Sequence, residues 1–253
     1  MKDTLPLFNR ITSKAKMVFM FSKAKAYMAT MRADNPLRGI PVKVVGDVSA
    51  DPTEFFNHYD AFAFWTASKL NKGGRKKILD VGSPKMMCAM FSAEHDVTSL
   101  VLADCKDSIS AVKYIKHDVC DPLPFEPSTF DVFTSSAALQ LVGLGRYGDK
   151  VDANCLPNLV SQLERVVKPD GDLFISICLG PNRLAYNNSW FLDMPTITTI
   201  FGNWRVIDSL VDGWSSPRTQ PTGPISERFS KSTSVDNIAL GDYRVVFLHF
   251  KRK

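Results

Sequence analysis

The sequence lacks any apolar run near the roughly 18–20 residues that a membrane-spanning helix requires. Near the N-terminus, lysines flank a very short apolar stretch, which is unlike a secretory signal peptide. Hydrophobic residues make up 45% of the 253 residues and charged residues 23%, as is typical of globular proteins. We therefore expect a cytoplasmic protein with one large domain, or one domain and a small appendage.

Cysteine pairs and metal-ligand spacings are also missing. The cysteines are odd in number, widely spaced and without a Cys-x-x-Cys pair: Cys88, Cys105, Cys120, Cys155 and Cys178. This pattern argues against a disulfide framework and for a reducing compartment, with the cysteines in or near the core. No metal site is expected either, since ligand spacing is absent among His58, His95, His117 and His249.

Positive charge is concentrated in one short segment. Residues 1–32 carry a net charge of +6, whereas the remainder of the chain carries −1. A body so close to neutral is not expected to bind nucleic acid, which needs a concentrated basic face. Residues 11–31 have the pattern of a basic amphipathic helix, which either packs on the protein or a partner subunit, or lies on an anionic membrane surface. We place a helical extension and linker at residues 1–54 and the main domain at residues 55–253.

After an aromatic-rich helix predicted at residues 55–70, short apolar runs alternate with helical patterns. Seven runs are expected to be strands, at residues 77–81, 98–103, 111–116, 130–134, 172–179, 204–211 and 243–250. Strands separated by helices of about ten residues imply an α/β protein with a mostly parallel sheet and right-handed crossovers. The last two runs have no clear helix between them, so we expect them to pair antiparallel at the end of the sheet.

In such a sheet, ligands bind beyond the carboxyl ends of the strands. Asp80, Gly82 and Ser83 follow the first strand: Gly82 permits a tight turn, while Asp80 binds an ammonium group or orients the loop. Asp104 follows the second strand, where an acid either accepts both ribose hydroxyls or caps the next turn.

The next two strand ends complete the set expected to bind one nucleoside-like ligand. Asp118 follows the third strand and is placed to accept from an adenine amino group, while Val119 packs on the ring. Ser135, at the end of the fourth strand, is the last candidate cofactor contact. A nicotinamide cofactor is disfavoured, because its pyrophosphate needs several glycines in the first turn and Gly82 stands there without the Gly-x-Gly-x-x-Gly pattern.

The order and spacing of these strand ends resemble those of class I S-adenosylmethionine-dependent methyltransferases, whose Rossmann-like sheet has seven strands with the last reversed. Residues 142–149 (VGLGRYGD), with residues 79–83 and 165–171, further resemble a methyltransferase-like family long labelled as of unknown function. Members of that family are often encoded among bacterial surface-polysaccharide genes. The resemblance covers about residues 55–211 and implies S-adenosylmethionine as cofactor and a sugar or glycan as methyl acceptor.

This sequence departs from that family at Gln140 and Leu141, where members commonly carry Glu-His. Neither residue can take a proton, and a base accelerates transfer to a hydroxyl by roughly 10²–10⁴-fold. We take Asp149 as the first candidate base, with Asp152 and His117 as alternatives.

Arg146 and Tyr147 are the candidates for orienting a sugar or a phosphate, Arg146 by its bidentate fork and Tyr147 by stacking and its hydroxyl. Alternatively, the glycine-rich loop that carries them is only structural. Three functions stay open: O-methylation of a sugar or glycan, a non-catalytic binding or scaffold protein with this fold, and methylation of a small-molecule or membrane-bound acceptor.

Overall fold

The protein is represented by a computed structural model that describes residues 18–19, 22, 25–26, 29, 58–70, 73–104, 109–185, 188–212, 229–236, 238 and 242–253. Contacts divide the chain into two units, Met1–Phe55 and Phe56–Lys253. In the first unit the described residues, among them Val18 and Phe19, are helical and exposed; the rest of the helix predicted at residues 11–31 lies outside the described residues. Among the helices that the structure describes, none is long and apolar enough to cross a membrane.

The second unit alternates helices and strands. Its described helices are α1 (His58–Leu70), α2 (Lys85–Ser92), α3 (Cys155–Val166) and α4 (Met194–Ile200), with a short 3-10 helix at Leu139–Leu141. Its described strands are β1 (Lys77–Val81), β2 (Asp96–Val101), β3 (Val112–Lys116), β4 (Phe130–Ser136), β5 (Val167–Leu179), β6 (Arg183–Ala185), β7 (Ser189–Phe191), β8 (Trp204–Asp212), β9 (Phe229–Ser230) and β10 (Arg244–Arg252).

Eight of these strands form one sheet in the order β3-β2-β1-β4-β5-β10-β8-β9. Strands β1 to β5 pair in parallel, whereas β10 runs antiparallel to both β5 and β8. The predicted α/β fold, with a mostly parallel sheet and a reversed last strand, is confirmed. The two-residue β9 adds an eighth strand to the predicted seven, and β6 and β7 form a separate hairpin.

Helices cover both faces of the sheet, as the alternating side chains of β10 show. Val246 points into a core that contains Leu159 of α3. The next residue, Phe247, points into the opposite core, where the ring of Phe62 of α1 lies 5.3 Å away in an edge-on contact. The sheet is therefore the middle of three layers, and its carboxyl-end edge is left open for a ligand.

One disulfide corrects the expectation drawn from the cysteine pattern. Cys120, in the loop after β3, is bonded to Cys155 at the start of α3, although they are 35 residues apart in sequence. Pairing depends on the spatial proximity that the fold creates, which sequence spacing does not reveal. Cys88 and Cys178 are buried and free, as expected for core cysteines. Disulfides persist mainly in oxidising compartments, so the cysteines no longer support a reducing one.

Candidate functional site

A cavity of about 460 Å³ opens at the carboxyl ends of β1, β2, β3 and β4. Its wall is built from the segments that follow these strands, at residues 81–84, 100–102, 117–119 and 136–138, together with side chains of α1 and of the glycine-rich loop. The chain runs outward from β1 to β3 and then returns to β4, so the sheet changes direction beside β1. Ligands of doubly wound sheets bind at such a point, in sites of roughly 300–1,000 Å³.

The side chain of Asp80 stabilises the turn after β1 through hydrogen bonds. Its buried carboxylate accepts hydrogen bonds from the hydroxyls of Thr134, at 2.9 Å, and Ser99, at 3.2 Å, and from the backbone N–H of Ser83, at 3.3 Å. Burial raises the pKa of Asp80. Since Asp80 does not line the cavity, the structure gives it the loop-orienting role, the second of the two expected.

Gly82 and Ala138 meet at the floor of the cavity. Gly82 has φ +71°, and a Cβ built on it would lie 2.5 Å from the Cβ of Ala138. Only glycine permits both this backbone conformation and this approach. Ala137, at the corner after β4, also adopts a positive φ of 53°, which is uncommon for a residue other than glycine. The turn after β1 is thus packed directly against the side chain of Ala138 in the segment after β4.

Hydrogen bonds of serine side chains connect the carboxyl ends of β1 and β4. The hydroxyl of Ser83 accepts the backbone N–H of Ser136 at 3.1 Å, and both residues line the cavity. The hydroxyl of Ser135, the predicted cofactor contact, instead donates to the carbonyl of Val81 at 2.8 Å and is fully buried. Because successive residues of a strand face opposite sides, Ser136 and not Ser135 reaches the cavity.

The loop after β3 supplies the other end of the cavity. Asp118 accepts the backbone N–H groups of Cys120, at 2.9 Å, and Lys150, at 2.8 Å, one on each carboxylate oxygen. Each oxygen keeps a second lone pair for a ligand's amino group. Val119 and His117 also line the cavity, and the buried Nε2 of His117 has no partner among the described residues.

Asp104 does not reach this cavity, contrary to the expectation that it binds the ribose. Its side chain is 85% exposed and forms a salt bridge with Lys116, at 3.7 Å. It lines a separate recess of about 400 Å³ beside β3. Because β2 ends at Val101, Leu102 occupies the cavity wall and the chain turns away before Asp104.

A smaller cavity of about 220 Å³ adjoins the first and shares Tyr59, Ala137, Leu141 and Tyr147 with it. Its other lining residues come from distant parts of the chain: His58, Gln140, Arg146, Cys178, Asn188, Ser189, Phe191, Tyr243 and Val245. Sequence reasoning missed His58, Tyr59 and Tyr243 as site residues, although the aromatic density of residues 55–70 was a signal that α1 docks on the sheet or the cleft.

The glycine-rich loop brings its three predicted residues to these cavities. Asp149 lines the larger cavity, but its two oxygens accept the backbone N–H groups of Gly145 and Tyr147, each at 3.1 Å. Tyr147 lines both cavities and Arg146 lines the smaller one. Asp152, one of the two alternative bases, lines neither cavity. Asp149 therefore shapes the loop as well as facing the site.

The described residues contain no group of three or more His, Cys, Asp or Glu side chains arranged to hold a metal ion.

Solved structures with the same fold include several methyltransferases. The 1,6-didemethyltoxoflavin-N1-methyltransferase of Burkholderia thailandensis, solved with S-adenosylhomocysteine, is 15% identical with a TM-score of 0.54, over 78% of this chain and 79% of that one. A S-adenosylmethionine-dependent methyltransferase of Methanosarcina mazei is 10% identical with a TM-score of 0.50, over 74% and 96%. The cyclase SpnF is 11% identical with a TM-score of 0.52, over 76% and 80%.

These similarities establish the class I methyltransferase fold. No curated protein matches the sequence. One family model does match, over residues 89–232, which is more than half of the chain. The chain belongs to the family described as Caenorhabditis protein of unknown function, DUF268.

Proposed function

We propose that the protein is an S-adenosylmethionine-dependent methyltransferase that methylates a hydroxyl group of a sugar or glycan. The main support is the larger cavity at the carboxyl ends of β1 to β4, of cofactor size, which shares four lining residues with a smaller cavity. Ligands in the two cavities would lie side by side across Tyr59 and Tyr147, as a methyl donor and its acceptor must.

The larger cavity fits the proposed cofactor by the chemistry of its wall. Leu100 and Val119 offer apolar surface for the adenine ring. The Nε2 of His117 and the Oγ of Ser136 are buried without partners among the described residues, so a polar ligand would satisfy them. When bound, S-adenosylmethionine supplies an activated methyl group. The residues of the chain hold donor and acceptor in line, and this positioning lowers the barrier.

Removal of the hydroxyl proton is assigned to a side chain that lines one of the two cavities. Asp149 and His117 line the larger cavity and are the first two candidates. His58 lines the smaller cavity and is the third. Leu141 lines both cavities and Gln140 the smaller one, and neither takes a proton.

A sugar acceptor is supported by the smaller cavity alone. The aromatic rings of Tyr59, Phe191 and Tyr243 offer flat apolar faces, and Gln140 and Asn188 offer hydrogen-bonding groups between them. Sugars need both, since their ring faces are apolar and their hydroxyls require paired hydrogen bonds. The family description names no acceptor and no bacterial polysaccharide genes, so it adds nothing to this part of the proposal.

Binding of the product tests the cofactor site, with two exposed leucines as a matched pair. Leu102 lines the larger cavity, whereas Leu184, on β6, lines neither described cavity. We expect Leu102→Asn to weaken S-adenosylhomocysteine binding about tenfold, because an apolar contact worth about 1–2 kcal/mol is lost. Leu184→Asn should leave calorimetric affinity unchanged. The cofactor proposal is abandoned if the wild-type chain does not bind S-adenosylhomocysteine.

A binding protein without turnover is the second candidate function. It is favoured by the carboxylate of Asp149, whose two oxygens are already engaged by the loop, and by the residues at positions 140 and 141. The fold itself permits other chemistry, since SpnF is a cyclase. Acceptor-dependent release of S-adenosylhomocysteine would eliminate this candidate.

A membrane-bound acceptor would require the basic segment at residues 11–31, most of which lies outside the described residues. Sedimentation with anionic liposomes, comparing the full chain with one that lacks residues 1–33, tests this role. Equal sedimentation of the two would remove it.

A further inference from the structure

Gln140 presents an unused hydrogen-bond acceptor at the smaller cavity. The side chain is 4% exposed, and its Nε2 donates to the carbonyl of Ala137 at 2.9 Å and to the Sγ of Cys178 at 3.7 Å. Because a carbonyl can only accept, this bond fixes which end of the amide is nitrogen. The remaining atom, Oε1, is buried without a partner among the described residues. A ligand hydroxyl that donates to Oε1 would remove the cost of this unpaired atom.

Arg146 is held by one end and leaves the other available. Its Nη1 donates to both the backbone carbonyl of Asn188, at 2.9 Å, and the side-chain Oδ1 of Asn188, at 2.6 Å. The guanidinium carbon lies 5.4 Å from the ring centre of Tyr147. Within the described residues, Nε and Nη2 have no acceptor. These two nitrogens form the side-on fork that binds carboxylates and phosphates with two parallel hydrogen bonds.

The rest of the smaller cavity offers nothing to neutralise Arg146. Its described lining contains no Asp or Glu. Burial raises the pKa of Tyr59 and of Tyr243, so both phenols stay uncharged at neutral pH. The carboxylate of Asp149, in the same loop as Arg146, lines the larger cavity and accepts two backbone N–H groups. The smaller cavity is therefore electropositive around one fixed guanidinium.

We propose that the smaller cavity selects an anionic sugar, in which a carboxylate or phosphate pairs with the Nε–Nη2 edge of Arg146 while a ring hydroxyl donates to Oε1 of Gln140. This inference rests on the proposed function and narrows its acceptor from sugars in general to sugar acids or sugar phosphates. Asn188, which also lines this cavity, holds the guanidinium in place by accepting two hydrogen bonds from Nη1.

Calorimetry on the full chain saturated with S-adenosylhomocysteine tests the selection, with methyl glucuronide, glucose phosphate and methyl glucoside as probes. We expect at least one of the two charged probes to bind about tenfold or more tightly than neutral methyl glucoside, as charge-assisted bonds to arginine imply. A preference for the glucuronide would identify a sugar acid, and a preference for glucose phosphate a sugar phosphate. Equal affinities, or no binding of any probe, would overturn the inference.

Reversing the charge of Arg146 tests whether the preference for a charged probe comes from this residue or from the overall surface charge. Arg146→Glu should abolish the preference for the charged probe and leave S-adenosylhomocysteine affinity unchanged. Arg205→Glu is the matched control, because Arg205 is exposed on β8 and lines neither cavity. A preference that survives Arg146→Glu contradicts the assignment.

Gln140→Met tests the hydroxyl contact separately. The substitution should lower the affinity for all three probes by about tenfold, as expected for the loss of one buried hydrogen bond. The preference for a charged probe should remain. Unchanged affinity for all three would remove Gln140 from the site. Failure of the wild-type chain to bind S-adenosylhomocysteine would instead refute the proposed methyl transfer, and the three probes tested on the unliganded chain would still decide the role of Arg146.

Discussion

At the scale of single residues, the site depends on how closely the backbone after β1 approaches a small side chain after β4. Gly82 and Ala138 make that contact. The Asp80 carboxylate stabilises it by accepting hydrogen bonds from Ser83, in the turn after β1, and from Thr134 of β4. Gly148, in the neighbouring glycine-rich loop, differs in this respect. Gly148 has φ +87°, but a Cβ on it would meet no atom within 4 Å.

Replacing each glycine by alanine separates close approach from backbone strain. Gly148→Ala should cost only the strain of a positive φ, about 1 kcal/mol. Gly82→Ala should cost about 1–3 kcal/mol more in the free energy of unfolding, because Ala138 must also move. Urea unfolding of both variants measures the difference. Equal losses would mean that the floor of the cavity is not packed as described.

At the scale of elements, ion pairs tie a helix to the edge of the sheet. Asp208 of β8 is paired with Lys69 of α1, at 2.5 Å, and with Lys231, which follows β9. Partial burial opposes ionisation of Asp208, yet the two lysines lower its pKa to about 2. Because Tyr59 of α1 lines both cavities, the ion pairs that fix α1 on the sheet also help to position this part of the cavity wall.

Asp208→Asn should therefore destabilise the protein in a pH-dependent way. The folded-state pKa lies below the unfolded value of about 3.9, so the carboxylate stabilises the fold above about pH 4. That contribution, about 1 kcal/mol after solvent screening, should disappear as the pH falls from about 4 to 2. Urea unfolding of wild type and variant across this range measures it. A difference that stays constant with pH would contradict the pairing.

The Cys120–Cys155 disulfide links the loop after β3, next to Val119 in the cavity wall, to the start of α3. Replacing both cysteines by alanine should lower the free energy of unfolding by about 3–4 kcal/mol, as expected for a cross-link across some 35 residues. Reductant should reproduce this loss in the wild type and have no effect on the double variant. A wild type whose stability is insensitive to reductant would show that the bond is absent in solution.

At the scale of the whole molecule, regular patterns were predictable and contacts between distant segments were not. The apolar run at residues 77–81 predicts β1 with the bounds that the structure shows, because a buried parallel strand is nearly continuously apolar in its own sequence. Helix α4 was missed, since its seven residues include three threonines and little apolar pattern. It begins where the Asp193 carboxylate accepts the backbone N–H of Thr196, at 2.8 Å.

The candidate site shows the same division. Gly82, Asp118 and Val119 could be placed near one another because parallel strands end at one edge of the sheet. The turn of the chain after β2, which puts Leu102 in the wall instead of Asp104, depends on local packing that the sequence pattern does not encode. The pairing of Cys120 with Cys155 depends on tertiary contact in the same way.

Hydrogen exchange of the full chain, with and without S-adenosylhomocysteine, tests the central claim most directly: that the cavity at the carboxyl ends of β1 to β4 holds the cofactor. The ligand should slow exchange in peptides that cover residues 81–85, 100–102 and 117–120 and leave residues 109–114, beside the recess of Asp104, unchanged. Protection confined to residues 109–114, or no protection in any peptide, would contradict the account.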